Sequence, residues 1–181
     1  MPKSHTYQLI SVTFTALCLL TGAQAQGLAD WQPCPASLAK TDAAEPAPNE
    51  RWEVTLSPFT HHWNYNPEHR PVKLVALDSH LNGGRFCGLA LFTNSFGQES
   101  AYLYVGQQWD GIWGNPKLFT KVSAGLLYGY RDQYKNKIPL NQMGIAPAII
   151  PSIGYTFTPK DSAQVFVLGN AGLLFAYSRS F

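Results

Sequence analysis

Two short segments of the chain carry the residue types of a general base and a nucleophile. Segment 60–63 reads Thr-His-His-Trp, and segment 92–98 reads Phe-Thr-Asn-Ser-Phe-Gly-Gln. A histidine can take the proton of a serine hydroxyl while the serine oxygen attacks an acyl carbonyl, which is the chemistry of acyl transfer. The two segments can react in this way only if the fold brings them together.

A third segment, Asp78-Ser79-His80, has the composition of a catalytic triad. Consecutive side chains of a strand point to opposite faces, so these three side chains cannot converge on one point. We interpret them as polar residues near the end of a strand.

From residue 51 onward the sequence alternates with a period of two. In 117–131 the even positions are mostly apolar and the odd positions are small or polar, and 145–158 alternates in the same way. Such alternation predicts β-strands, and clusters rich in Gly, Asn and Pro separate the runs as turns. We predict eight strands, near 52–64, 71–80, 85–94, 100–109, 117–131, 143–158, 162–169 and 171–181.

The composition indicates which solvent surrounds these strands. Charged residues and aromatic residues each make up 13% of the chain, whereas soluble domains carry about 25% charged residues. Several predicted strands are long enough to cross a bilayer, and the apolar face ends in aromatic residues, including the terminal Phe181. A soluble β-sandwich or lipocalin-like barrel would instead carry charge outside. We therefore predict an all-β, closed, eight-stranded antiparallel outer-membrane β-barrel.

The domain organisation follows from the same patterns. Residues 1–25 have the features of a secretory signal peptide, with an apolar run before a small-residue cleavage site. Residues 26–50 form an Ala/Pro-rich N-terminal segment, and 51–181 form the barrel. After the signal peptide no stretch of 18 apolar residues remains, so we expect no helical span. The net charge of +2 provides no basic stripe for nucleic acid.

Two cysteines, Cys34 and Cys87, remain after the signal peptide. An exported protein could join them in a disulfide, but we favour two unpaired thiols. The sequence shows no His/Cys spacing typical of a metal site. We therefore expect neither a metal nor an organic cofactor.

Counting strands with both termini in the periplasm gives the topology. The connections 65–70, 94–99 and 132–142 then lie outside the cell, and the turns lie on the periplasmic side. Both reactive segments consequently reach the same outer rim. An eight-stranded barrel has room for side chains or one small ligand, which excludes a porin-type channel.

The rim segments resemble those of the PagP-type lipid A palmitoyltransferases, an outer-membrane family. The family's active-site segment reads Phe-Lys-Asp-Ser-aromatic, and residues 92–96 here read Phe-Thr-Asn-Ser-Phe. Residues 58–62, Pro-Phe-Thr-His-His, resemble the family's Pro-x-x-Thr-Trp-His with one residue fewer. Further similar stretches fall within 126–154. The resemblance therefore covers nearly all of the barrel, in order.

The resemblance implies that Ser95 and a histidine of the first strand are catalytic. Matching the motif from its right end favours His62, whereas strand parity relative to a lipid-facing Pro58 favours His61. We lean to His62, because a bulge near a strand end can absorb one residue. Asn94 stands where the family has Asp, and it could position a carbonyl or donate to an oxyanion.

The resemblance also implies an acyl pocket inside the barrel. The family has a glycine on the pocket floor eleven residues after the serine, which corresponds to Gly106. By parity the inner face carries small residues that leave room for an acyl chain or merely relieve crowding: Gly125, Gly129, Ala146, Ala148, Gly154, Gly172 and Ala176. The family uses prolines to weaken strand pairing so that lipids enter sideways. The prolines placed to do so are Pro58, Pro139, Pro147 and Pro151.

The expected activity is transfer of a palmitoyl chain from a phospholipid donor to a lipid A acceptor. We expect a monomer in the outer membrane of a Gram-negative cell, inserted by the barrel-assembly machinery. One alternative is a lipid A deacylase or phospholipase, which would use the same Ser and His with water as acceptor. A second is a non-enzymatic structural or adhesion barrel, which long charged outer loops would favour.

Overall fold

The computed structural model describes residues 34–35 and 51–181. The predicted signal peptide and most of the 26–50 segment lie outside these residues. Each strand pairs antiparallel with its sequence neighbours, and the first pairs with the last, which closes the barrel. The predicted eight-stranded antiparallel barrel is confirmed. The strands are β1 (Arg51–His62), β2 (Lys73–His80), β3 (Arg85–Thr93), β4 (Glu99–Asp110), β5 (Leu118–Tyr128), β6 (Ile145–Thr156), β7 (Asp161–Val167) and β8 (Gly172–Ser180).

The alternation of the sequence becomes an inner and an outer wall. In β5, Phe119 and Lys121 are buried inside, while Leu126 and Tyr128 are exposed outside. Each of the other seven strands also exposes large apolar side chains on the outer wall, with Leu103 at 63% and Ile149 at 72% exposure as examples. This apolar outer wall is compatible with a lipid surrounding. No helix in the described part of the chain is long and apolar enough to cross a membrane.

The connections fall at the two ends of the barrel. Connections 63–72, 94–98, 129–144 and 168–171 lie at one end, which we call the rim, and connections 81–84, 111–117 and 157–160 lie at the lower end. The predicted grouping of the outer connections at one end agrees with this arrangement. Both reactive segments therefore reach the rim.

A β-bulge interrupts the pairing of β1 with β8. The register shifts between Leu56 and Phe59, so that Ser57 and Pro58 lie opposite the single residue Ala176. The extra residue reverses which alternate side chains of β1 point inward. Residues before and after the bulge therefore follow opposite parities.

Two seams of the barrel are paired only in their lower halves. The β1–β2 ladder ends at the Ser57–Leu74 pair, and the β6–β7 ladder ends at the Ser152–Phe166 pair. Because β2 begins late and β7 ends early, the rim halves of β1 and β6 have no ladder partner on that side. We call these the β1–β2 opening and the β6–β7 opening.

Cys34 and Cys87 are joined by a disulfide, so the expectation of two unpaired thiols was wrong. Cys87 lies on the outer wall near the lower end of β3, where Cys34 and Leu81 bury it. Sequence spacing could not reveal that this wall position is within reach of the N-terminal segment. The bond closes a loop across a sequence separation of 53, and a loop of that size is worth about 4 kcal/mol in the chain-entropy description.

Candidate active site

The two reactive segments meet at the rim. The His62 Nε2 atom lies 2.6 Å from the Ser95 Oγ atom, within hydrogen-bond distance. The bulge in β1 turns His62 toward the inner face, whereas His61 is exposed on the outer face, with its ring edge against Trp63. Of the two candidate histidines, the structure brings only His62 to Ser95. This geometry allows His62 to accept the serine proton.

Asn94 holds the turn that carries Ser95. Its side chain is buried, and its Oδ1 atom accepts hydrogen bonds from the backbone N–H groups of Phe96, at 2.9 Å, and Gln98, at 3.0 Å. Its Nδ2 atom donates to the Gly129 carbonyl at 3.3 Å. Because its oxygen is engaged within loop 94–98 and its nitrogen with the Gly129 carbonyl of the neighbouring loop, Asn94 acts as a positioning residue. The expected role as an oxyanion donor does not match these contacts, and an aspartate would lack the donor for Gly129.

Aromatic packing joins the rim loops around Phe96. The Tyr134 ring stacks on Phe96 with centroids 4.2 Å apart, and the Tyr130 ring meets it edge-on at 6.2 Å. The Lys137 ammonium lies 5.4 Å from the Phe96 centroid. Burial raises the pKa of Tyr130 to about 12, so its phenol stays neutral. These contacts fix loops 94–98 and 129–144 relative to each other.

A cavity lined by residues of all eight strands lies inside the barrel. Toward the rim its lining is apolar and comes from several strands, with Leu74, Ala90, Ile150 and Leu174 as examples. Phe86, Tyr104 and Lys121 line its lower part. The apolar side chains of its upper lining are of the type that contacts apolar ligands.

The small residues proposed for the pocket face inward as expected, but Gly106, Gly125, Ala146 and Ala148 do not line the cavity. A Cβ atom at Gly106 would collide with the Phe86 ring, and one at Gly125 with the Leu103 carbonyl. The Phe86 ring fills the space beside Gly106, and the backbone of Leu103 and Tyr104 fills the space beside Gly125. Of the two roles considered for Gly125, room for an acyl chain or relief of crowding, the structure therefore favours relief of crowding. The cavity floor belongs to Phe86 rather than to Gly106.

A buried polar cluster closes the barrel below the cavity. The Lys121 ammonium lies 2.6 Å from Glu53 Oε1, and both side chains are about 95% buried. Gln164 Nε2 donates to the same Glu53 oxygen at 3.3 Å, and the Tyr104 hydroxyl donates to Asp78 at 2.5 Å. We call these residues the polar plug, and include in it His80, whose ring packs against Phe86.

Sequence reasoning missed the polar plug. Strand alternation correctly placed the Ser79 side chain on the opposite face from those of Asp78 and His80. The prediction that Asp78 and His80 are merely polar residues near a strand end overlooked their inward contacts. The signal was available, because Glu53 and Lys121 also occupy inward positions of their strands. Glu53, Asp78 and His80 could together offer ligand atoms to a metal ion, but the Lys121 ammonium already supplies the positive charge.

Three of the four prolines border the openings in the wall. Pro147 and Pro151 are exposed on β6 along the β6–β7 opening, and Pro58 lies where the β1–β2 opening begins. A proline has no backbone N–H to donate, so it loses no hydrogen bond where a neighbouring strand is absent. Pro139 instead lies in loop 129–144, outside the strand wall.

Comparison with known proteins does not assign the chain to a family. No protein-family model matches the chain, and no curated protein shows significant similarity to it. The function therefore has to be argued from the contacts at the rim and in the cavity.

Proposed function

We propose that the protein is an outer-membrane acyltransferase that moves a palmitoyl chain from a phospholipid to lipid A. The observation that carries this proposal is the 2.6 Å contact between His62 and Ser95. This pair lies at the rim, and the apolar cavity lies inside the same barrel. An adhesion barrel would need neither a base–nucleophile pair nor an apolar cavity.

The reaction proceeds in two balanced steps. His62 Nε2 takes the proton of Ser95 Oγ while that oxygen attacks the ester carbonyl of the phospholipid. The ester C–O bond breaks, the acyl group stays on Ser95, and His62 returns the proton to the departing lysophospholipid. A lipid A hydroxyl then attacks the acyl-serine. His62 takes its proton and gives it to the released Ser95 oxygen.

The cavity would hold the acyl chain during both steps. Each methylene that leaves water for an apolar wall contributes about 0.8 kcal/mol. An acyl tail that enters from the rim would run between side chains such as Leu74 and Leu174 toward Phe86. Donors with long chains would therefore bind better than donors with short chains, up to the depth that Phe86 allows.

The openings in the wall suggest how lipids reach the pair. Both substrates are lipids, so they would move within the membrane rather than through water. The β1–β2 opening and the β6–β7 opening are the wall segments without a strand ladder, and both lie on the rim half. We propose that the donor and the acceptor enter sideways there, past Pro58 and past Pro147 and Pro151.

The proposal is tested by expressing the protein in a Gram-negative host that lacks this activity and taking mass spectra of its lipid A. We expect a gain of one palmitoyl mass with the wild-type chain and none with Ser95→Ala. Loss of an acyl chain from lipid A would instead indicate a deacylase, and release of fatty acid alone a phospholipase. An unchanged spectrum and no fatty acid release would contradict any enzymatic function.

Phe86→Ala is expected to shift the preferred acyl chain toward longer donors. Removing the ring deepens the cavity toward Gly106, whose added Cβ atom would meet this same ring. The measurement is the mass of the transferred chain when donors of several chain lengths compete. The substitution also removes a large buried side chain, at a cost of about 3–5 kcal/mol in the free energy of unfolding.

Phe119→Ala is the matched control for this prediction. Phe119 is equally buried, points into the same barrel and lies 5.6 Å from the same Lys121 ammonium, but it does not line the cavity. We expect a similar loss of stability with an unchanged chain length. A wild-type chain length in Phe86→Ala would contradict the assignment of the floor.

A further inference from the structure

Within residues 51–181, no carboxylate pairs with His62 to orient its ring. Catalytic histidines that activate serine are usually held by a third group, most often an aspartate. The ion pairs between described residues do not include His62, and the amide of Asn94 is engaged with the backbone of Phe96 and of Gly129. The ring that contacts His62 is instead that of His69, with centroids 4.0 Å apart and planes inclined by 33°.

Loop 63–72 braces both members of the reactive pair. The His69 backbone N–H donates to the Asn66 carbonyl at 3.0 Å, and the next residue, Arg70, donates its backbone N–H to the Ser95 carbonyl at 2.8 Å. The other side of the assembly is closed by Phe96, whose ring centroid lies 5.5 Å from that of His69. The same loop thus places a ring on His62 and ties the serine backbone.

We propose that His69 is the positioning residue of the general base, replacing the carboxylate of an ordinary triad. Its ring packs against the His62 imidazole at a tilt of 33° and holds the Nε2 atom toward Ser95 Oγ. The inference rests on the proposed use of the His62–Ser95 pair in acyl transfer.

The geometry of this ring contact separates the role from proton transfer. The hydrogen-bonding directions of an imidazole lie in the plane of its ring, whereas a centroid distance of 4.0 Å places the tilted His69 ring against the face of His62 rather than at its edge. His69 therefore acts through the area and orientation of its ring rather than through a ring nitrogen. An aromatic ring without ionisable nitrogens should replace it, and a small aliphatic side chain should not.

The test compares His69→Ala, His69→Leu and His69→Phe in the full-length protein reconstituted in phospholipid vesicles. Two quantities are measured: kcat and KM for acyl release from the phospholipid, and the rate at which a fluorophosphonate probe labels Ser95. We expect Ala and Leu to lower kcat and the labelling rate about tenfold with an unchanged KM. Phe should keep both within about threefold of wild type.

His61→Ala is the matched control, because that histidine is exposed on the outer wall, and it should behave as wild type. The inference is overturned if His69→Ala equals wild type, or if His69→Phe is as impaired as His69→Ala. A wild-type Ser95 that does not react with the probe also overturns it. Labelling requires only the His62–Ser95 pair and no lipid A. A protein whose Ser95 is labelled but that transfers no chain to lipid A would therefore refute the proposed function, and the labelling rates of the His69 variants would still test this inference.

Discussion

Ser95→Ala is expected to lower the rate of the proposed acyl transfer by at least about a thousandfold, because it removes the atom that would form the acyl-enzyme bond. His62→Gln should cause a loss of similar size. The amide can still hydrogen-bond to the serine oxygen, which lies 2.6 Å from His62 in the wild type, but it cannot take the proton. Residues that act as one unit lose most of the activity when either is removed. The double variant should therefore be hardly less active than each single variant.

The measurement is the initial rate of palmitoyl transfer from radiolabelled phospholipid to purified lipid A in vesicles. His61→Gln is the control, with an adjacent residue of the same type on the outer face of the same strand. It should retain the wild-type rate within about threefold. If His61→Gln lost the activity and His62→Gln kept it, the assignment that follows from the β1 bulge would be wrong.

The choice between these two histidines shows how far sequence reasoning reaches. Alternation predicted which face of each strand points inward, because that period follows from backbone geometry. One extra residue in β1 reverses the parity, and nothing in the composition of residues 56–59 places the shift. The sequence alone therefore left His61 and His62 open, and three-dimensional pairing with β8 separates them.

The interior was predictable in polarity but not in shape. Inward parity identified Ala146 as a small inner residue and the family resemblance pointed to Gly106, but neither could show that the Phe86 ring fills the space beside Gly106. That depends on side-chain rotamers and on pairing, such as the placement of Phe86 opposite Gly106. The disulfide between Cys34 and Cys87 escaped prediction because it joins residues 53 apart in sequence. The contact of His69 with His62 escaped it because it depends on the path of the loop between them.

The second large effect is expected in the polar plug. Lys121→Met should lower the free energy of unfolding by about 3–5 kcal/mol, because it leaves the buried Glu53 charge without its partner. The Glu53 side chain is only 5% exposed, so water cannot replace the ammonium. The measurement is denaturant unfolding in lipid vesicles, followed by tryptophan fluorescence and by the heat-dependent gel mobility of folded barrels.

The double variant Glu53→Gln with Lys121→Met should recover most of this loss. In the double variant no unpaired Glu53 carboxylate remains buried, and the new glutamine can still accept the hydrogen bond that Gln164 donates to the carboxylate. Arg179→Met is the control, since its pair with Asp161 spans 2.8 Å on an exposed surface and should matter little. A double variant no more stable than Lys121→Met would mean that packing of the lysine stem, rather than its charge, supports the plug.

Removing one partner of a buried ion pair destabilises a protein even when the intact pair adds little to the free energy of unfolding. If the double variant recovers stability as expected, the Glu53–Lys121 pair is retained because the loss of either charge alone is destabilising.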